Sequence, residues 1–130
     1  VPRPTVLLPV PRPAFRPDSD EGLVTAEIAT ALPGLALLLG IALASVATVA
    51  AHIMCVDAAR IGARALARGD SSASAHALAS GAAPETADIR LSVDGGYARV
   101  SVSAPVRLGS GPRLPFIVRG DAATPLEPRS

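Results

Sequence analysis

From Ile28 to Met54 the chain carries no Asp, Glu, Lys or Arg. As a helix rising 1.5 Å per residue this run is roughly 40 Å long, enough to cross a bilayer with some tilt. Glu27 is the ionisable residue set against its N-terminal edge. A carboxylate at a membrane boundary is costly to desolvate, so its position calls for a reason.

The remaining composition narrows what the other residues do. With 130 residues there is room for at most one small domain. A net charge of +1 gives no field that favours nucleic acid or an acidic substrate. Aromatics make up 2% with no Trp, too few for a large core or a base-stacking surface. Every basic residue is Arg, and Ala is abundant, a bias expected of GC-rich coding rather than of a function. Val1 in first place suggests a GTG-type start or a start placed imprecisely. Cys55 is the single cysteine, so one chain cannot build a disulfide framework or a thiolate metal site. It reads as a small apolar residue at a helix end.

Pro2, Pro4, Pro9, Pro11, Pro13 and Pro17 make residues 1–22 a Pro-rich leader, disordered or polyproline-like. Asp18, Asp20 and Glu21 then suit a helix N-terminus, with Asp18 or Ser19 as cap. The expected helix spans 23–68, with 28–54 in the membrane and the rest continuing into water. Pro33 lies one turn into the apolar run and should bend the helix locally. Ala36, Gly40, Ala44 and Thr48 recur every four residues, a ridge of small side chains suited to close helix packing. Past Met54, Val56, Ala59, Ala63 and Leu66 fall near one face, and Arg60, Arg64 and Arg68 form a stripe on another, read as solvated. Gly69-Asp70 should stop the helix.

Residues 69–87 read as a Ser/Ala linker that can hold a short helix over Ser74–Ser80. Ile89, Leu91 and Val93 alternate with polar residues, as do Ala98, Val100 and Val102, around the turn Asp94-Gly95-Gly96. That pattern predicts a β-hairpin. Leu114–Val118 reads as a third strand, so 88–120 forms a small antiparallel region and 121–130 a disordered tail. Strands this few cannot hold a core alone and must pack on the Arg-bearing helix or on another subunit. The fold class is α+β: one long N-terminal transmembrane helix and a small C-terminal sheet.

No catalytic pattern emerges. His52 and His76 lack a partner at metal-ligand spacing, and no nucleophile elbow, P-loop or dinucleotide-binding glycine pattern occurs. No enzymatic activity, cofactor, nucleic acid or small-molecule substrate is expected.

Three readings of the apolar run compete. A cleavable secretory signal has Arg residues upstream and a small-residue site at Ser45-Val46-Ala47 in its favour, but its apolar core would be about half as long, and Asp18, Asp20 and Glu21 stand where positive charge is expected. A lipoprotein signal ending at Cys55 lacks small residues before the Cys. A plain single-pass anchor fits by length. The third reading rests on Gly22-Leu-Val-Thr-Ala-Glu27, which matches the prepilin motif of type IV pilin-like proteins: Gly before the cut, Glu at the fifth mature position, then an apolar helix. The run Gly22 to Leu35 resembles the TadE-like minor pilins of actinobacterial tight-adherence (Flp-type) pilus loci. Cys55-Val-Asp-Ala-Ala-Arg60, Ala104-Pro-Val-Arg-Leu108 and Leu114-Pro-Phe-Ile-Val118 resemble later segments of that family. The resemblance implies a pilin-like fold and cleavage by a prepilin peptidase between Gly22 and Leu23. It also implies an assembly role for Glu27, and as partners the membrane, other pilus subunits and the inner-membrane assembly platform. The soluble part would lie outside the cytoplasm; Arg residues flank the apolar run equally and do not set its orientation.

Overall fold

The computed structural model describes residues 1–12 and 19–128. The expected cap Asp18 lies outside the described residues, as do Pro13, Arg16, Pro17 and the last two residues of the tail. The chain divides into two compact units, Val1–Leu37 and Leu38–Ser130.

In the first unit, residues 1–12 carry neither helix nor strand and are all exposed. Helix α1 (Ser19–Ala67) begins in this unit, four residues before the expected start, and ends in the second. It runs without interruption through Pro33, which has no N–H to give to the carbonyl of Ala29. The hydroxyl of Thr30 turns back onto the helix, donating to the carbonyls of Glu27 (2.9 Å) and Ala26 (3.2 Å).

In the second unit, α1 ends where expected and for the expected reason. Gly69 takes φ +93°, its N–H reaches the carbonyl of Leu66, and the N–H of Asp70 reaches that of Ala65. These two bonds form a Schellman stop, which favours glycine at the left-handed position. Ser71 caps the next helix, α2 (Ser72–Ala82), by accepting from the Ser74 N–H at 3.2 Å. The linker therefore holds a helix longer than Ser74–Ser80. Its buried face is Ala75 and Ala79, and Ala79 lies against α1 at Gly62.

Strands β1 (Asp88–Asp94), β2 (Tyr97–Arg107) and β3 (Arg113–Pro125) form one antiparallel sheet in the order β1-β2-β3. Asp94 pairs with Tyr97, leaving a two-residue turn whose glycines both have positive φ, 59° and 80°. That is the primed turn whose twist suits a hairpin. The register sets Ile89 opposite Val102 and Leu91 opposite Val100, so the apolar faces coincide. Ala98, Val100, Val102, Ala104 and Val106 of β2 are all buried. They share one core with Cys55, Ala58, Ala59, Ala63 and Leu66 of α1. The three strands thus gain a core by packing on the helix.

One expectation is corrected. The tail is ordered past Asp121: β3 extends to Pro125, pairing Ala122 with Val100 and Thr124 with Ala98. The N–H of Leu126 then bonds the carbonyl of Gly96, and that of Glu127 bonds the carbonyl of Ala67 at the end of α1. Asp121-Ala-Ala-Thr-Pro has poor strand propensity, but tertiary pairing overrides it. Along the expected membrane segment 28–54 the surroundings of the helix change. Ala47 and Ala51 pack against the sheet's core and Ala44 and Thr48 are half-buried, whereas Gly22–Leu43 are all exposed.

Candidate functional site

The bond between Gly22 and Leu23 lies in the first turns of α1. Helix N-termini lack partners for their first N–H groups, and a glycine there weakens the helix by about 1 kcal/mol relative to alanine. Nothing lies within 4 Å of a Cβ placed on Gly22, and Leu23 is 66% exposed. Larger residues therefore fit position 22 without disturbing the fold. Glu27, one turn on from Leu23, is exposed.

The ridge of small residues divides. Ala36 and Gly40 are exposed, and a Cβ on Gly40 would meet nothing within 4 Å. Ala44 and Thr48 line an apolar hollow with Ile41, Ser45, Val49 and Phe116. Part of the ridge is thus met by a strand of the same chain. The hydroxyls of Ser45 and Thr48 donate to the carbonyls of Ile41 (2.9 Å) and Ala44 (2.7 Å), so neither needs an outside acceptor.

Gly62 and Gly120 are sites that sequence reasoning missed. A Cβ on Gly62 would stand 3.2 Å from that of Ala79, and one on Gly120 would fall among the backbone atoms of Cys55 and Val56. The only signal in the sequence is Gly120 standing on an inward position of an alternating strand.

Cys55 is fully buried, and its burial pushes the thiol pKa up, away from the thiolate that nucleophilic chemistry needs. Arg60 pairs with Asp57 and Arg68 with Asp70, both on the surface, and Arg64 is exposed, as expected of a solvated stripe. His52 is exposed, and His76 shares a hydrogen bond with Ser80 at 3.3 Å. Among the described residues no group of three or more His, Cys, Asp or Glu is placed to hold a metal.

Comparison with protein-family models, with curated proteins and with solved structures gives no match for this chain.

Proposed function

We propose that the chain is a minor, pilin-like subunit of a tight-adherence (Flp-type) pilus system, anchored by α1 in the membrane and cut between Gly22 and Leu23 by a prepilin peptidase. α1 is long and apolar enough to cross a membrane. The observation that carries the reading is a change of surroundings along this one helix. Gly22–Leu43 are exposed on every side, and from Ala47 onward alanines of α1 pack against the core of the sheet. Leu23 to Leu43 spans about 31 Å at 1.5 Å per residue, close to the roughly 30 Å hydrocarbon thickness of a bilayer. In an assembled fibre, the same exposed face would be covered by neighbouring subunits' helices, with Ala36 and Gly40 allowing close approach.

In this reading the chain supplies a substrate and a structural part. Glu27 offers its carboxylate to the α-amine that cleavage frees on Leu23, of its own or a neighbouring subunit, which lowers the cost of burying both charges. The proposal is tested by shearing pili from cells that carry a tagged copy of the chain. The processed chain should co-purify with the sheared filaments or with the assembly platform. A chain found only as a free membrane protein, with pili formed normally in its absence, would point instead to a single-pass anchored protein unrelated to pili.

A further inference from the structure

The β2–β3 end of the sheet combines an exposed aromatic, an exposed aliphatic and two arginines that face one another. Pro105 pairs with Ile117 and Arg107 with Arg113, so Val106 alone on β2 stands against Leu114, Pro115 and Phe116 on β3. Extra residues on one strand form a bulge, which re-aims side chains and bends the strand. Proline is tolerated there because the ladder is already interrupted. From Gly120, which lies against Cys55 and Val56, β3 runs back along α1 until Phe116 lines the hollow with Ile41 and Val49. Phe116 is 53% exposed and Ile117 77%.

Arg107 and Arg113 are exposed cross-strand partners. Like charges directly opposite one another repel unless an anion lies between them. Among the described residues neither joins an ion pair; Glu85 lines the same cleft as Arg107 without reaching ion-pair distance. The opposite end of the sheet, at Gly95-Gly96, lies by the end of α1, where Leu126 bonds Gly96 and Glu127 bonds Ala67. The apolar, basic end is therefore the one beside the apolar part of the helix.

We infer that this end of the sheet is a membrane-interface anchor: Phe116 and Ile117 enter the headgroup layer, and Arg107 and Arg113 together hold the phosphate of an anionic lipid. The inference rests on the reading that α1 spans a bilayer. With Leu43 at the hydrocarbon edge, the next several residues of α1 cross the headgroup layer, at the level of Phe116. Phenylalanine and aliphatic side chains bury at the boundary of headgroups and acyl chains, and guanidinium groups bind phosphate in a fork. An arginine near an anionic leaflet is worth about fivefold in binding. Docking there would fix the sheet against the bilayer while the subunit awaits assembly.

The chain has no Trp, so one introduced Trp reports its own surroundings. The full chain with Phe116→Trp, and separately with Tyr97→Trp at the far turn, is reconstituted in vesicles with or without phosphatidylglycerol and with lipids brominated near the headgroup. Phe116→Trp should show blue-shifted emission that the bromines quench, more strongly with phosphatidylglycerol, while Tyr97→Trp stays unquenched. Arg107→Gln with Arg113→Gln should abolish the phosphatidylglycerol-dependent part. Ile117→Trp serves as a second reporter if circular dichroism shows Phe116→Trp to be misfolded. An unquenched Trp at both positions, in a chain that vesicles retain through a carbonate wash, overturns the anchor and leaves the span standing. A Trp shielded from acrylamide but unquenched by bromolipid shows that another protein covers the site, which also overturns it. Loss of the chain in the carbonate wash overturns the span and the anchor with it. Quenching that ignores both phosphatidylglycerol and the arginine changes overturns the phosphate clamp.

Discussion

A Cβ placed on Gly120 would stand 2.5 Å from the carbonyl carbon of Cys55, so strand β3 and helix α1 touch backbone to backbone. Around this contact the helix shows the sheet small residues: Cys55, Ala58, Ala59, Gly62 and Ala63 are all buried. The sheet answers with the valines of β2, and Val100, Val102 and Val106 are among the largest fully buried side chains. A core with so few aromatics is thus made thin rather than broad. Its stability depends on close approach, because the short-range attraction between packed atoms is lost with small separations.

Gly120→Ala should therefore destabilise the soluble region by about 1–3 kcal/mol or more, the range of overpacking in a rigid site. Gly62→Ala meets the Cβ of Ala79 at 3.2 Å and the methyls of Val100 at 3.4 Å, contacts that need a give of only a few tenths of an ångström between α1 and α2, so its effect should be smaller. Urea denaturation of both variants in detergent, followed by circular dichroism, checks the order. An equal or reversed pair of midpoints contradicts the contact.

Ending the chain at Asp121 removes the pairs Ala122–Val100 and Thr124–Ala98 and the bond from Glu127 to Ala67. Each lost intramolecular hydrogen bond is worth about 1 kcal/mol. For a domain of this size, each such loss lowers Tm by about 4–8 °C. The shortened chain should melt lower by at least that much. An unchanged Tm would show that residues after Asp121 contribute nothing to the fold.

Burial pushes the Cys55 thiol up from its ordinary value of 9.0, by desolvation of the thiolate. The folded state then holds the neutral thiol while the unfolded chain ionises first. The stabilisation is complete below about pH 9 and is lost as pH rises through the higher folded value. Stability should fall in the alkaline range for the wild type, and Cys55→Ala should flatten that fall. Alkylation by iodoacetamide should be slow until urea unfolds the chain. Rapid alkylation of the folded protein would contradict a buried thiol.

Glu27→Ala should still be processed, since the change leaves Gly22 and Leu23 in place, but the mature chain should fail to co-assemble with other subunits. Glu27→Gln separates charge from size: loss of assembly in both variants supports pairing with the α-amine. Recovery of either variant in sheared pili at the wild-type level contradicts it.

The hairpin and the stop of α1 were legible because their signals are local: alternation about Asp94-Gly95-Gly96, and Gly69 after the last apolar turn. The strand after Asp121 was not, because its cause lies in β2, far away in the chain. The bulge at Leu114–Phe116 escaped for the same reason, since a bulge is a mismatch between two strands and neither strand alone encodes it. Of the candidate site, the position of Gly22 and Glu27 relative to the apolar run is plain in the sequence. How much of that run is free is not, because Ala47 and Ala51 look as apolar as Leu35 and differ only in being met by the sheet.

The most direct test of the account is the N-terminal sequence and intact mass of the chain from the membrane fraction of cells that contain a prepilin peptidase. The expected N-terminus is Leu23, and Gly22→Leu, which the open space at position 22 accommodates, should keep the leader. An uncut wild type in the presence of the peptidase, or a mutant cut at the same bond, would contradict the pilin-like reading.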